Sequence, residues 1–186
     1  PAPTMDTDSQ DADKSRFRSL LGVARALGQP IDHAELLKTI LGKMAEVMDA
    51  EASSIFLHDP ESRELVMHAP HGPRADQLLS LRMPDDKGIA GSVFQSRKPL
   101  NVQDAQNDSR LFRDADRKSG FVTRALMCAP LMDEGRCLGV LQVLNPRHMP
   151  FFGDEEANIF ESFAMLATAA IIRLRAQAEA LRRRQI

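Results

Sequence analysis

Apolar positions along the chain recur first at helical spacing and then at strand spacing. From Ser15, residues Phe17, Leu20, Leu21, Ala24 and Leu27 repeat at intervals of three and four, which predicts an amphipathic helix closed by Gly28-Gln-Pro30. Asp32, with Glu35 three residues on, predicts the capped start of a second helix carrying Leu36, Leu37, Ile40, Leu41, Met44, Val47 and Met48 on one side. From Ala52 the period shortens. Ser53–His58 and Glu64–His68 predict a strand hairpin around the turn residues Asp59-Pro-Glu-Ser62, and Leu79–Met83 predicts a third strand. A short helix is predicted over Ile89–Ser96 and another strand over Pro99–Gln103, after which Asn107–Gly120 is charged and irregular with room for a helical turn or two. The strongest strands, Thr123–Met132 and Cys137–Asn145, flank the hairpin turn Asp133-Glu-Gly-Arg136. One long helix follows, from Asp154 to about Arg184, with acids in its first turn and arginines in its last, both favourable to the helix dipole.

The final helix reads in two halves. Ile159, Phe160, Phe163, Leu166 and Ala167 suit a sheet. Phe160, Phe163, Ala167, Ala170, Leu174 and Leu181, with Gln177 completing the series, also alternate by threes and fours, a coiled-coil seam that predicts a parallel homodimer. A plain amphipathic helix capping its own domain is the competing reading.

Candidate chemistry gathers in the middle of the chain. Gly88-Ile-Ala-Gly91 is a small-residue turn into a helix, where backbone N–H groups are free and a ligand can approach closely. Asp116, Ser119 and Thr123, three and four residues apart, are predicted to share one face of a helical turn. No nucleophile–base pair accompanies them, so the prediction is a binding cavity rather than a catalytic centre. Asp116 and Ser119 capping a short helix, and Gln142 between Val140 and Leu144 as a core amide, are the structural alternatives.

Composition narrows the function classes. At 43% apolar and 27% charged the chain reads as a soluble globular domain, and a net charge of -2 supplies no basic field for nucleic acid. No apolar run approaches membrane length and residues 1–13 lack the apolar core of a signal peptide, so a cytoplasmic protein is expected. Cys128 and Cys137 fall on the two arms of the strong hairpin; with Met132 opposite Cys137 their sulfurs are roughly 13 Å apart along the strands, too far for a disulfide. Reduced core thiols are expected, against a redox or metal role. His58, His68 and His71 lie near adjacent strands without acidic or cysteine partners at ligand spacing, and no metal site is expected.

Six segments in order resemble the GAF domain: Pro84-Asp-Asp-Lys-Gly-Ile-Ala-Gly91, Leu100-Asn-Val-Gln-Asp104, Asp108-Ser-Arg-Leu111, Asp116-Arg-Lys-Ser-Gly-Phe121, Met127-Cys-Ala-Pro130 and Gly139-Val-Leu-Gln-Val-Leu-Asn145. The chain is similar in particular to the GAF domains of cyclic-nucleotide phosphodiesterases and bacterial adenylate cyclases. The resemblance implies an α+β fold, an α/β/α sandwich with a central antiparallel sheet of about six strands, its N- and C-terminal helices on one face and a ligand pocket on the other. The GAF domain is expected over 15–174, preceded by a disordered leader over residues 1–14, read from its polar, Asp-rich composition, and followed by an extension of the last helix over 175–186. The resemblance implies a pocket for cAMP or cGMP, with Ser54 and Gln142 at the base edge, the backbone of Ile89 and Ala90 at the phosphate, and Asp116, Ser119 and Thr123 around base, phosphate and ribose. The subfamily's Asn-Lys…Phe-x-x-x-Asp-Glu signature stands as Asn145-Pro146…Phe152-Gly-Asp-Glu-Glu156-Ala157, so its Lys–Asp pair cannot form. Pro70-His71 replaces a Phe-Asp pair, leaving Phe112 or Phe121 to stack on a base.

The expected function is therefore a regulatory sensor, not an enzyme: a small ligand binds and the last helix relays this to an effector domain outside the chain, which is expected to be a fragment of a larger signalling protein. The homodimer is expected to form through the N- and C-terminal helices. A ligand-free GAF module that dimerises and transmits signals is the alternative. Free-methionine-sulfoxide reduction by clustered cysteines and bilin or haem binding are weaker alternatives; the cysteines lack the reductase spacing and no Asp-Ile-Pro motif is present.

Overall fold

The computed structural model describes residues 33–73 and 75–185. The predicted helix at Ser15–Leu27, the leader before it and the cap at Asp32 lie outside the described residues. The described chain runs α1 (His33–Val47), β1 (Ala50–Asp59), β2 (Glu64–His71), α2 (Ala75–Leu78), β3 (Arg82–Pro84), α3 (Gly88–Ser96), β4 (Leu100–Val102), α4 (Arg113–Ser119), β5 (Leu126–Asp133), β6 (Arg136–Pro146) and α5 (Asp154–Arg184). The six strands make one antiparallel sheet in the order β3-β2-β1-β6-β5-β4.

Both faces of the sheet are covered, which is why β5 and β6 are nearly continuous apolar runs. The pleat sorts their side chains. Met127, Ala129, Leu141 and Val143 join a core with Leu37, Ile40, Leu41 and Met44 of α1 and Phe160, Phe163 and Ile171 of α5. Leu126, Cys128 and Val140 join a second core with Ile89 and Val93 of α3, Met67 of β2 and Met83 of β3. At Gly139 the backbone of β1 comes close: a Cβ there would sit 1.9 Å from the Phe56 carbonyl oxygen, so no larger residue fits.

Three readings from the sequence are corrected. The third strand does not begin at Leu79; Ser80 takes a positive φ of 65° and the Leu81 N–H bonds back to Leu78, so that Ser80 and Leu81 make only irregular backbone hydrogen bonds to Met67 and the regular ladder with β2 starts at Arg82. Thr123 does not share a helical turn with Asp116 and Ser119. Gly120 at φ 71° donates its N–H to the Asp116 carbonyl and ends α4, leaving Thr123 in the segment leading to β5.

The third correction concerns α5. Phe160, Phe163, Ala167 and Ala170 are buried in this chain's own core and Leu174 packs against it, so five of the six seam residues are turned toward the core formed by the sheet and α1. Leu181 is 54% exposed, beyond the core, whereas Met165 and Ile172 form the exposed apolar side of the same helix. Among the described residues α5 also has an 18-residue window long and apolar enough by length and composition to cross a membrane, contrary to the expectation that no run approaches that length. About a third of that window is buried, because Phe160, Phe163 and Ala167 face the sheet.

Candidate ligand-binding cavity

On the face of the sheet opposite α1 and α5, a largely apolar cavity of about 80 Å³ lies between β1 and β6 below and α2, α3 and α4 above. Ser54, Ile89, Ala90, Phe112, Asp116, Ser119, Thr123 and Gln142 all line it, as does Phe121. Residues spread over some ninety positions of sequence are thus brought to one enclosure.

The floor follows from strand register. Ser54 on β1 and Cys128 on β5 both stand opposite Gln142 of β6, so the three side chains form a row across the sheet. Ser54 Oγ donates to Gln142 Oε1 at 3.4 Å and Gln142 Nε2 reaches Cys128 Sγ at 3.7 Å, both long contacts. Burial pushes the Cys128 thiol up to about 12, the amide contact opposing the shift, so this sulfur is a neutral packing group. Cys137, half-buried and opposite Met132, is raised mainly by desolvation too.

One wall is the start of α3. Lys87 caps it without a side-chain bond, and the Lys87 carbonyl already accepts from Gly91 N–H, so the N–H groups between have no acceptor within the helix. Gly88 holds φ at 72°, and a Cβ there would come within 2.8 Å of Met83 Cε and 2.9 Å of Phe112 Cβ. The turn into α3 is therefore glycine because it presses against the cavity's own lining. Behind it, buried Asp85 accepts from His58 Nε2 at 2.9 Å and from Gln95 Nε2 at 3.3 Å, while the His58 ring packs on Phe94 with centroids 4.3 Å apart. These contacts fix the loop before α3 to β1.

The opposite wall is α4 and the segment after it. Asp116 accepts from the Thr123 backbone N–H at 3.0 Å through Oδ2 and from the Thr123 hydroxyl at 2.9 Å through Oδ1. Ser119 Oγ donates to the Ala115 carbonyl and accepts from Phe121 N–H. The trio thus meets as the sequence spacing suggested, but through a chain reversal that uses its polar atoms internally. Residues 121–124 are then tied to the end of β6. Asn145, buried and at φ 57°, accepts at Oδ1 from the N–H of Arg124 (2.7 Å) and Ala125 (3.3 Å), and donates from Nδ2 to Glu51 Oε2 (3.1 Å) and the Val122 carbonyl (2.8 Å). Arg124 Nη2 donates to the Pro146 carbonyl at 3.0 Å and lies 3.6 Å from Glu51 Oε1. A cation and a carboxylate therefore do meet at the end of β6 where Pro146 has removed the lysine, supplied by Arg124 and Glu51.

Arg124, Glu51 and the apolar lining residues Met67, Met83 and Leu126 were not singled out from the sequence. Leu126 carried a signal, being two residues from Cys128 on the strand face that pairs with Gln142. Arg124 and Glu51 lie 73 positions apart in an exposed setting, and nothing local to either marks the contact.

This sheet, with two of the described helices on one face and a roofed cavity on the other, has the GAF arrangement, and the profile of the family described as "GAF domain" matches residues 32–171. The chain belongs to that family. It is 27% identical over 162 residues to a probable 3',5'-cyclic phosphodiesterase of Caenorhabditis elegans, covering 82% of this chain and 22% of that protein. It is 35% identical over 89 residues to the dual 3',5'-cyclic-AMP and -GMP phosphodiesterase 11 of Drosophila melanogaster, covering 47% of this chain and 6% of that one. The chain therefore spans about a fifth or less of these relatives. Its fold is similar to the GAF domain of a phosphoenolpyruvate-protein phosphotransferase from Coxiella burnetii, with a TM-score of 0.79 at 22% identity, covering 88% of this chain and 96% of that one. A free methionine-R-sulfoxide reductase from Neisseria meningitidis in complex with its substrate gives a TM-score of 0.74 at 20% identity, covering 95% and 97%.

Proposed function

We propose that this chain is the regulatory sensor of a signalling protein, a non-enzymatic module whose cavity takes a small ligand and whose α5 carries the change to an effector domain. The observation that supports this most is the convergence of Ser54, Gln142, Asp116, Thr123 and the first turn of α3 on one cavity, in a chain related to cyclic-nucleotide phosphodiesterases. Cyclic AMP or cyclic GMP is the proposed ligand. The row Ser54–Gln142 offers both a donor and an acceptor to a purine edge, and its long contacts are readily exchanged for shorter ones. The N–H groups opening α3 favour the single negative charge of a cyclic phosphate. A nucleotide exceeds the cavity's 80 Å³, so binding requires α2 and α4 to move outward from the sheet.

That movement gives the relay. Displacing α4 pulls on Thr123 through Asp116, and residues 122–125 are bonded through Asn145 and Arg124 to the end of β6, from which the chain passes to α5. Binding that favours one arrangement of these bonds shifts the population of α5 positions.

Thermal unfolding of the full chain with cAMP, cGMP, cyclic dinucleotides and amino acids tests the reading. A bound ligand at 100 times its Kd adds about 2.7 kcal/mol of stability, and absence of any shift with all four classes sinks the sensor role. The internal pairing of Asp116 with Thr123 favours one alternative, a ligand-free module that dimerises and transmits signals from neighbouring domains. Its mark would be a dimer, by light scattering, that Leu181→Lys dissociates.

A further inference from the structure

Two surface troughs share lining residues with the cavity, and each marks a way in. Among the described residues, Leu111 and Phe112 line both the cavity and a trough of about 760 Å³ that passes Lys87, Ser92 and Ser96 on α3. His71 and Pro73 line both the cavity and a second trough, of about 610 Å³, beside α1. The two ways in are unequal. At the second, backbone stands in the path. His71 is paired with Ser53 across β1 and β2, a Cβ at Gly72 would meet the Glu51 carbonyl oxygen at 2.7 Å, and the Pro73 ring cannot turn away from its own backbone. At the first, the shared lining is two half-buried apolar side chains outside any strand, packed on the inner core. A side chain changes rotamer far faster than paired strands part.

We propose that Phe112 is the gate by which a ligand reaches the cavity, its ring swinging toward the trough to admit the ligand and back to cover it. Phe112 is the N-cap of α4, with φ −86° and ψ 95°, and makes no side-chain capping bond. Ser, Thr, Asp and Asn are the residues that secure a helix from that position, so an aromatic there serves something other than the helix. Its stem is held. A Cβ at Gly88 would meet Phe112 Cβ at 2.9 Å, which leaves the ring as the part that can turn. The helix behind it is anchored separately: Arg113 donates to the Gln106 carbonyl at 2.7 Å and to Gln106 Oε1 at 3.1 Å, and Gln106 Nε2 donates to the Thr123 carbonyl at 2.7 Å. The ring can therefore turn while α4 stays in place, and outward movement of α4 follows once the ligand is inside. The path also ends where an anion is favoured. Gly88 borders the trough and Ile89 and Ala90 border the cavity, so a ligand passing Phe112 meets the first turn of α3, whose N–H groups have no acceptor within the helix. The gate rests on the sensor reading only in taking the cavity to hold a ligand.

Thiol labelling of the full chain tests the path without a ligand. Ser54→Cys places a thiol on the cavity floor, at a position 5% exposed, and mass spectrometry follows its reaction with methyl methanethiosulfonate apart from that of Cys128 and Cys137. In this background Phe112→Ala is expected to speed labelling at position 54 by at least about tenfold, whereas His71→Ala, at the other way in, changes it by less than about twofold. Phe112→Ser removes the ring but supplies a capping hydroxyl to α4, and is expected to give the same gain with the helix secured. Urea unfolding of each variant sets the labelling rate that global opening alone would allow. The proposal is overturned by Phe112 variants that label no faster than that rate, by rates within about twofold of the Ser54→Cys chain in both of them, or by an equal gain from His71→Ala. Titration of the unmodified chain with cAMP and cGMP reads the sensor role separately: no binding rejects that role, while the labelling rates still decide the gate. For a nucleotide that binds, Phe112→Ala is expected to raise the association and dissociation rates together, and rates left unchanged also overturn the gate.

Discussion

Asn145 is the residue whose replacement reads most directly on how the cavity is built. It is 1% exposed, and its amide makes four hydrogen bonds, three that hold residues 122–125 against the end of β6 and one to Glu51 of β1. Its backbone also sits at φ 57°, a conformation that asparagine tolerates, glycine adopts freely and alanine resists. Two substitutions separate these contributions. Asn145→Gly keeps the backbone and deletes the side chain, orphaning the N–H of Ala125 in a fully buried setting and that of Arg124 beside it. At about 1–3 kcal/mol for each buried donor left without an acceptor, partly offset where water reaches Arg124, the loss comes to about 2–4 kcal/mol. Asn145→Ala adds about 1 kcal/mol for the left-handed backbone. Urea unfolding followed by circular dichroism measures both, provided the slope with denaturant is unchanged. If Asn145→Gly lies within about 0.5 kcal/mol of the unmodified protein, the amide does not hold this corner and the proposed relay loses its central contact.

Other outcomes follow from single contacts. Gly139→Ala forces a Cβ to within 1.9 Å of the Phe56 carbonyl between two central strands; a loss above about 4 kcal/mol, or insoluble protein, is expected, and a melting point within a few degrees of the original contradicts the strand approach. With its pKa pushed up to about 12, Cys128 has a thiolate fraction on the order of 10⁻⁴ at pH 8 and should resist thiol reagents until the protein is unfolded, with Cys137 labelling first. Mass spectrometry that finds Cys128 modified first rejects this assignment. Asp108 is held below the ordinary carboxylate value chiefly by the hydrogen bonds of the Arg110 guanidinium. A depressed carboxylate adds stability above its unfolded value of 3.8 that is lost as pH falls through the lower folded value. Arg110→Gln should therefore lower stability at pH 7 and leave it nearly unchanged below pH ~3, read from melts across that range; equal losses at both ends would place the effect elsewhere.

Much of this architecture was legible because helix and strand periods change cleanly along the chain. The runs at Leu36–Met48, Met127–Leu131 and Leu138–Val143 bury their apolar residues where the pattern put them. The eight candidate ligand residues also line one cavity, two of them through register, since pairing of β6 with β1 sets Ser54 beside Gln142, and the other six through the helices and segments that roof the sheet. Legibility ended where a single φ decides the path. A three-and-four spacing places Thr123 on the helix with Asp116, and only the turn at Gly120 shows that it returns by a reversal instead. On α5, one heptad series satisfies both a sheet and a partner helix, so spacing could not say which faces Phe160 and Phe163. The chain's own core takes them, and of the exposed apolar residues on this helix Met165 and Ile172 lie outside that series while only Leu181 belongs to it. The contact of Arg124 with Glu51 depends on the whole fold and has no local pattern at all.

The decisive measurement is calorimetric titration of the full chain with cAMP and with cGMP, repeated on Asp116→Ala with Thr123→Ala. Saturable binding of one of the two nucleotides in the micromolar range or tighter (about −8 kcal/mol), abolished in the double variant while its circular dichroism spectrum is retained, is the expected result. No heat with either nucleotide, or binding unchanged by the double variant, contradicts a cyclic-nucleotide site between α4 and the sheet.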